Sequence, residues 1–107
     1  MNVHGWADHA KGVAVKPSHF LRQATVCYNG LLARSGAEQV YLHCGYGSRD
    51  SWRTAATVKM DRTDRGWETT LDVRDSVLNF CFKDGAGNWD NNNGANWACL
   101  SHFEEQL

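Results

Sequence analysis

The chain has 107 residues, 42% of them hydrophobic, which is enough for one domain with one core but not for a catalytic domain plus a separate binding domain. Lysine and arginine number 11 against 12 aspartate and glutamate, so bulk charge does not recruit nucleic acid or an anionic membrane surface. No stretch approaches the roughly 18 continuous apolar residues of a membrane span, and MNVHGWADHAKG lacks the basic start and apolar run of a signal peptide, so a cytoplasmic location is expected.

Residues 1–12 carry Gly5 and Gly12 and no periodic pattern, and read as a frayed leader ahead of one module over residues 13–107. Short apolar or alternating runs then recur between turn signals: VAV at Val13 to Val15, ATVCY at Ala24 to Tyr28 and QVYLHCGY at Gln39 to Tyr46. TVKM at Thr57 to Met60, WETTLDV at Trp67 to Val73, NFCFK at Asn79 to Lys83 and NWACL at Asn96 to Leu100 complete the series. Seven short strands predict an all-β protein, an antiparallel β-sandwich. In the fifth run Trp67, Thr69, Leu71 and Val73 share one face and Glu68, Thr70 and Asp72 the other, the pattern of a strand with one buried side. Trp67 is therefore expected in the core, and Trp97, opening the last strand, is expected to pack inward. No 3.6-residue apolar period persists, and the best helical segment is a single turn at Ser18 to Gln23.

The four cysteines, Cys27, Cys44, Cys81 and Cys99, form no CxxC pair and have no histidine placed to complete a zinc site. They read as reduced, buried thiols, with a disulfide as the alternative in an oxidising compartment. His4, His9 and His19 give no metal spacing, and neither a metal nor a cofactor is expected.

Two tryptophans escape the alternation. Trp52 falls in GYGSRDSWRT, a connection rich in Gly, Ser and Asp, and Trp89 falls at the tip of KDGAGNWDNNNGANW, where Asn, Asp and Gly predict a tight loop. Each is either a lid folded over one end of the sandwich or an exposed aromatic plate. A pyranose ring has one face lined by C–H groups, which packs on an indole, while the hydroxyls at its edge seek planar donors and acceptors such as amides. WDNNN combines the two: a plate at Trp89 followed by Asp90, Asn91, Asn92 and Asn93. The competing reading is a series of Asx turns in which those side chains bond their own backbone, and a calcium loop is disfavoured by the spacing. In VYLHCGYG, Val40, Leu42 and Cys44 point one way, so Tyr41 and His43 point the other; His43 is then either a plain surface histidine or a ring available to a sugar.

VCYNGLLARSGAEQVYLHCGYG, the tryptophan at 52, VKM, RGWETTLDV and NFCFKDGAGNWDNNNGANW together resemble carbohydrate-binding module family 25, the starch-binding modules related to family 53, over roughly residues 13–100. The resemblance implies an immunoglobulin-like β-sandwich that binds α-1,4-linked glucan such as starch, maltooligosaccharides or glycogen without catalysis. It implies a sugar platform of His43, Trp52 and Trp89, with Asn91 and Asn92 as hydroxyl partners and Asp90 more suited to holding the loop. An associated glucan-active enzyme is the partner it implies, since such modules usually hang from amylases or sit in tandem. Two other classes compete. A small glycosidase needs two carboxyl groups flanking a scissile bond, and Asp84 and Asp90 border the candidate platform; incubation with maltoheptaose would then yield shorter products. A sandwich that binds protein through its loop tryptophans would leave Trp52 and Trp89 undisturbed by maltooligosaccharide.

Overall fold

A computed structural model describes residues 2–18, 22–48 and 51–102. Twelve elements follow one another: β1 (Asn2–Val3), β2 (Trp6–Asp8), β3 (Val13–Pro17), β4 (Gln23–Tyr28), α1 (Leu31–Arg34), β5 (Val40–Ser48), β6 (Ser51–Lys59), β7 (Asp61–Thr63), β8 (Gly66–Asp72), β9 (Val77–Asp84), β10 (Trp89–Asp90) and β11 (Trp97–His102). Each of the seven runs read from the sequence falls on one of these strands to within one residue, Gln39, Met60, Val73 and Asn96 lying just outside. One antiparallel sheet has the order β1-β11-β9-β5-β6, with β10 also on β9, and the other the order β2-β3-β4-β8-β7.

The two sheets meet as a sandwich because each presents a periodic apolar face. Val13, Val15, Ala24, Val26, Tyr28 and Trp67 come from one sheet and Val40, Leu42, Leu78, Phe80, Phe82 and Trp97 from the other, all in a single core cluster. As expected, Trp67 and Val73 are buried while Thr70 and Asp72 are exposed. On the outside of the sheet, the hydroxyls of Thr25 and Thr70 hydrogen-bond across the β4–β8 pair at 2.8 Å. Cys44, Cys81 and Cys99 are buried and Cys27 is half-buried, all as free thiols.

Three expectations change. Residues 2–8 are not a patternless leader: β1 pairs with β11 and β2 with β3. Trp6 packs against the core, stacks with Phe80 at 6.3 Å, and donates its indole N–H to the carbonyl of Ala98 at 3.0 Å. Strands this short carry too few residues to show alternation, so their pairing is a tertiary effect. The helical turn lies at Leu31–Arg34, within YNGLLARSG, where four residues cannot display a 3.6-residue period. Of the turn expected at Ser18 to Gln23, residues 19–21, including His19, lie outside the described residues, and Gln23 begins β4.

Trp52 and Trp89 are both strand residues. The β5–β6 pairing continues through Gly47↔Trp52 to Ser48↔Ser51, so the connection is shorter than its Gly, Ser and Asp content suggests. Trp89 pairs with Lys83 on a two-residue strand along the edge of β9. Asp90 then pairs with Phe82 and Trp97 with Phe80, so β10 and β11 occupy one edge of β9 and residues 91–96 are an excursion between them.

Candidate functional site

The outer face of the β10-β9-β5-β6 sheet carries the rings singled out above. Alternation sends Leu42 and Cys44 into the core and His43 outward, and β6 places Thr57 opposite His43. The imidazole Nδ1 and the Thr57 hydroxyl share a 3.0 Å hydrogen bond, which fixes the ring's orientation on the sheet. The Trp52 indole stacks on that imidazole with centroids 5.5 Å apart and planes 28° apart. The Trp89 indole meets it at the same 5.5 Å but edge-on, at 86°. The difference between those angles leaves the two indole planes at least 58° apart, so the three rings form an angled surface instead of a flat strip. Trp89 is 48% exposed.

The floor beneath the rings is made of small residues. Gly45 follows His43 on the outward face, and a Cβ there would lie 3.0 Å from the Trp52 Cβ and 3.2 Å from its Cε3. Only a hydrogen at that position lets the indole lie across the strand. A register shift between Cys44 and Tyr46 accompanies this approach, and the buried Asn79 amide, opposite Gly45, donates to the Gly47 carbonyl at 2.8 Å and ties down the far end of the shift. Cys81 faces His43 across the β5–β9 pair, and its short side chain leaves room for the Trp89 ring to reach the imidazole. Burial pushes the Cys81 thiol up to about 11, with the Asp90 carboxylate adding to the effect. Lys83 lies with its ammonium 5.4 Å from the Trp89 ring centroid and 5.9 Å from that of Tyr41, joining the two by cation–π attraction.

Trp89 is held by the segments on either side of it. Asp84 closes the preceding turn by accepting from the backbone N–H groups of Ala86 and Asn88 and from the Asn88 amide, at 2.8–2.9 Å. Those bonds, led by the Asn88 side chain, hold its carboxyl below the usual range. On the following side, Asp90 points inward and accepts a 2.6 Å hydrogen bond from the buried Tyr28 hydroxyl. That hydroxyl in turn accepts from the Leu32 N–H at 3.0 Å, so one oxygen joins the opposite sheet, α1 and the strand of Trp89. The Tyr28 ring stacks on Phe82 at 4.0 Å. Burial, followed by the bond to Asp90, raises the phenol above its ordinary value.

The asparagine run has a backbone reason. Asn92, Asn93 and Asn96 have φ of 55–57° and Gly94 has φ of 89°, the left-handed region that asparagine and glycine tolerate best. Asn91 makes an Asx-type turn, its Oδ1 accepting from the Gly94 N–H at 3.0 Å. The Asn92 amide donates to the Asn96 carbonyl at 3.0 Å and accepts from the Lys11 ammonium. Asn92 thus faces a hollow shared with Lys11, Arg34, Asp90 and Asn93. The fold brings His43, Trp52 and Trp89 together. It places Asp90 next to Trp89 as an anchor, engages the Asn91 side chain within its own loop, and holds the Asn92 side chain between that loop and Lys11.

Residues 24–80 match the starch/carbohydrate-binding module of family 53, more than half of the chain. The chain belongs to that family. The sequence motifs had pointed to the related family 25, and the family that matches is 53. The matched span of this starch/carbohydrate-binding module includes His43 and Trp52 and ends before Trp89, which the β9–β10 pairing brings to the same surface. The module is also 41% identical over 76 residues to an alpha-amylase of Clostridium acetobutylicum, a match covering 68% of this chain and 9% of that protein. No solved structure matches it.

The residues that sequence reading missed are Gly45, Tyr41, Thr57, Cys81 and Lys83. Tyr41 and Gly45 share the outward parity of His43, and Cys81 and Lys83 alternate with the core residues Phe80 and Phe82. That signal was present, but the register that sets them side by side was not.

Proposed function

We propose that this module binds α-1,4-linked glucans, whether starch, maltooligosaccharide or glycogen, on the ring surface of His43, Trp52 and Trp89 and does not cleave them. The observation that carries this reading is the angled pair of indoles meeting one imidazole on an exposed sheet face. An α-1,4-glucan curves along its length, so neighbouring glucose units present their C–H faces at an angle, and tilted indoles suit them better than coplanar ones. Thr57 and His43 offer polar atoms beside the rings, and Asn91 and Asn92 are the loop candidates for a sugar hydroxyl. The carboxylates that a glycosidase would need are otherwise employed, Asp84 in closing a turn and Asp90 in bonding Tyr28, which supports a binding role over a catalytic one. The matched region of the alpha-amylase suggests a natural setting, a module that holds glucan near an enzyme acting on it.

Contacts on an open surface stay partly hydrated, so affinity in the millimolar to tens-of-micromolar range is expected, about −4 to −6 kcal/mol. Titrating intrinsic tryptophan fluorescence with maltoheptaose tests the reading, with cellohexaose as control. A saturable change with the α-glucan alone, lost in Trp52→Ala and in Trp89→Ala, is the expected result. An unresponsive wild-type protein would overturn it and return the tryptophans to a role in protein contact.

A further inference from the structure

A wide hollow adjoins the ring surface, because Trp89 lines both. It is a cleft of about 840 Å³ between α1, with the segment that follows it, and the turn joining β9 to β10. That volume lies within the range of small-ligand sites, about 300–1,000 Å³. Three large hydrophobic side chains stand out as exposed among the described residues, Leu31, Trp89 and Leu100, and two of them line this one cleft. Leu31 is 60% exposed and takes no part in the core, which its neighbour Leu32 joins. Isolated exposed leucines are ordinary; an exposed leucine and an exposed tryptophan on the walls of one cleft make an apolar lining.

The polar lining is as informative. Glu38 supplies a carboxylate, Ser35 a hydroxyl and Gln39 and Asn88 amides, Asp84 adds negative charge although its oxygens already close the turn, and no Lys, Arg or His is among the lining residues described. Such a wall accepts hydrogen bonds and repels anions. It suits an uncharged ligand with many hydroxyl donors and apolar C–H faces, which is the chemistry of the glucan itself. We propose that the cleft is an extension subsite that receives the glucan chain beyond the units resting on His43, Trp52 and Trp89, with Leu31 as its apolar contact. This inference rests on the glucan-binding reading of the ring surface. It makes Trp89 the hinge of the site, shared by the short-chain platform and the cleft, and makes the module selective for longer chains.

Calorimetric titration with maltotriose and maltoheptaose, run on the wild type, Leu31→Ala and Trp52→Ala, tests it together with backbone-amide NMR shifts. Wild-type protein should bind the heptaose more than ten-fold tighter than the triose, beyond the roughly five-fold that alternative registers of a longer chain supply. Leu31→Ala should weaken heptaose binding about three-fold and leave triose binding unchanged, as removal of a small apolar contact predicts. The amides of Gly36, Gly85 and Ala86 should shift with the heptaose and not with the triose. Heptaose shifts confined to the strands around His43, Trp52 and Trp89, or a Leu31→Ala effect equal for both sugars, would overturn the inference while leaving the platform intact. Triose binding that survives Trp52→Ala would overturn the platform reading, and the inference falls with it.

Discussion

Gly45→Ala offers a sharp test of how the ring surface is built, because one added carbon meets three neighbours. The new Cβ would sit 3.0 Å from the Trp52 Cβ, 3.2 Å from its Cε3 and 3.0 Å from the Arg53 carbonyl oxygen. Carbon pairs are comfortable at about 3.5–4.0 Å, so the indole must recede by half an ångström or so and tilt off the His43 imidazole. Overpacking a closed core costs roughly 1–3 kcal/mol. Two of these contacts, the Trp52 Cβ and the Arg53 carbonyl, yield only if the β6 backbone itself shifts, which puts the folding cost near the middle of that range, about 2 kcal/mol. Binding suffers as well, because a ring tilted away from its partner loses registry with the sugar. A ten-fold weaker maltoheptaose affinity, about 1.4 kcal/mol, is expected. The assay is isothermal titration of Gly45→Ala beside the wild type, with the NMR ring-current shifts of the His43 imidazole protons read in both. If glycine acts through the indole, the loss of affinity should come with a change in those shifts. Wild-type affinity in Gly45→Ala, or weaker binding with the His43 shifts unchanged, would refute the reasoning.

Two further outcomes follow from groups beneath the surface. Tyr28→Phe leaves the Asp90 carboxylate without its donor and the Leu32 N–H without its acceptor, and should lower stability by about 2 kcal/mol; an unchanged urea midpoint would show that water replaces both bonds. Burial pushes the Cys81 and Cys99 thiols up from 9.0 to about 11. Because the fold favours the neutral thiol, this contribution is intact below about pH 9 and is lost as the pH climbs toward 11, with the raised Tyr28 phenol acting in the same direction. Urea midpoints that stay level from pH 8 to 11 would contradict that sign. In the native protein at pH 8, a thiol reagent should reach Cys27 quickly and the other three cysteines only as the fold opens.

What the sequence by itself determined is the set of faces. Side chains alternate along a strand with a period of two, so Val40, Leu42 and Cys44 could be assigned to the core and His43 to the surface without knowing any partner strand. The same logic made Trp67 a core residue, and the sandwich follows from seven such runs that each need a covering sheet. Turn chemistry was also legible in part, since Asn92, Asn93, Gly94 and Asn96 answer a local backbone demand for positive φ. What only the tertiary structure decided is adjacency. Trp52 and Trp89 sit in segments whose Gly, Ser and Asn content spells loop, yet both are strand residues because pairing with β5 and β9 extends through them. β1, β2 and α1 were beyond reach because two to four residues carry no measurable period, and only their neighbours give them a place. The site itself is of this second kind. His43, Trp52 and Trp89 come from three strands, and what brings their rings together is cross-strand register, a missing Cβ at Gly45 and a hydrogen bond from Tyr28, residues far apart in the chain.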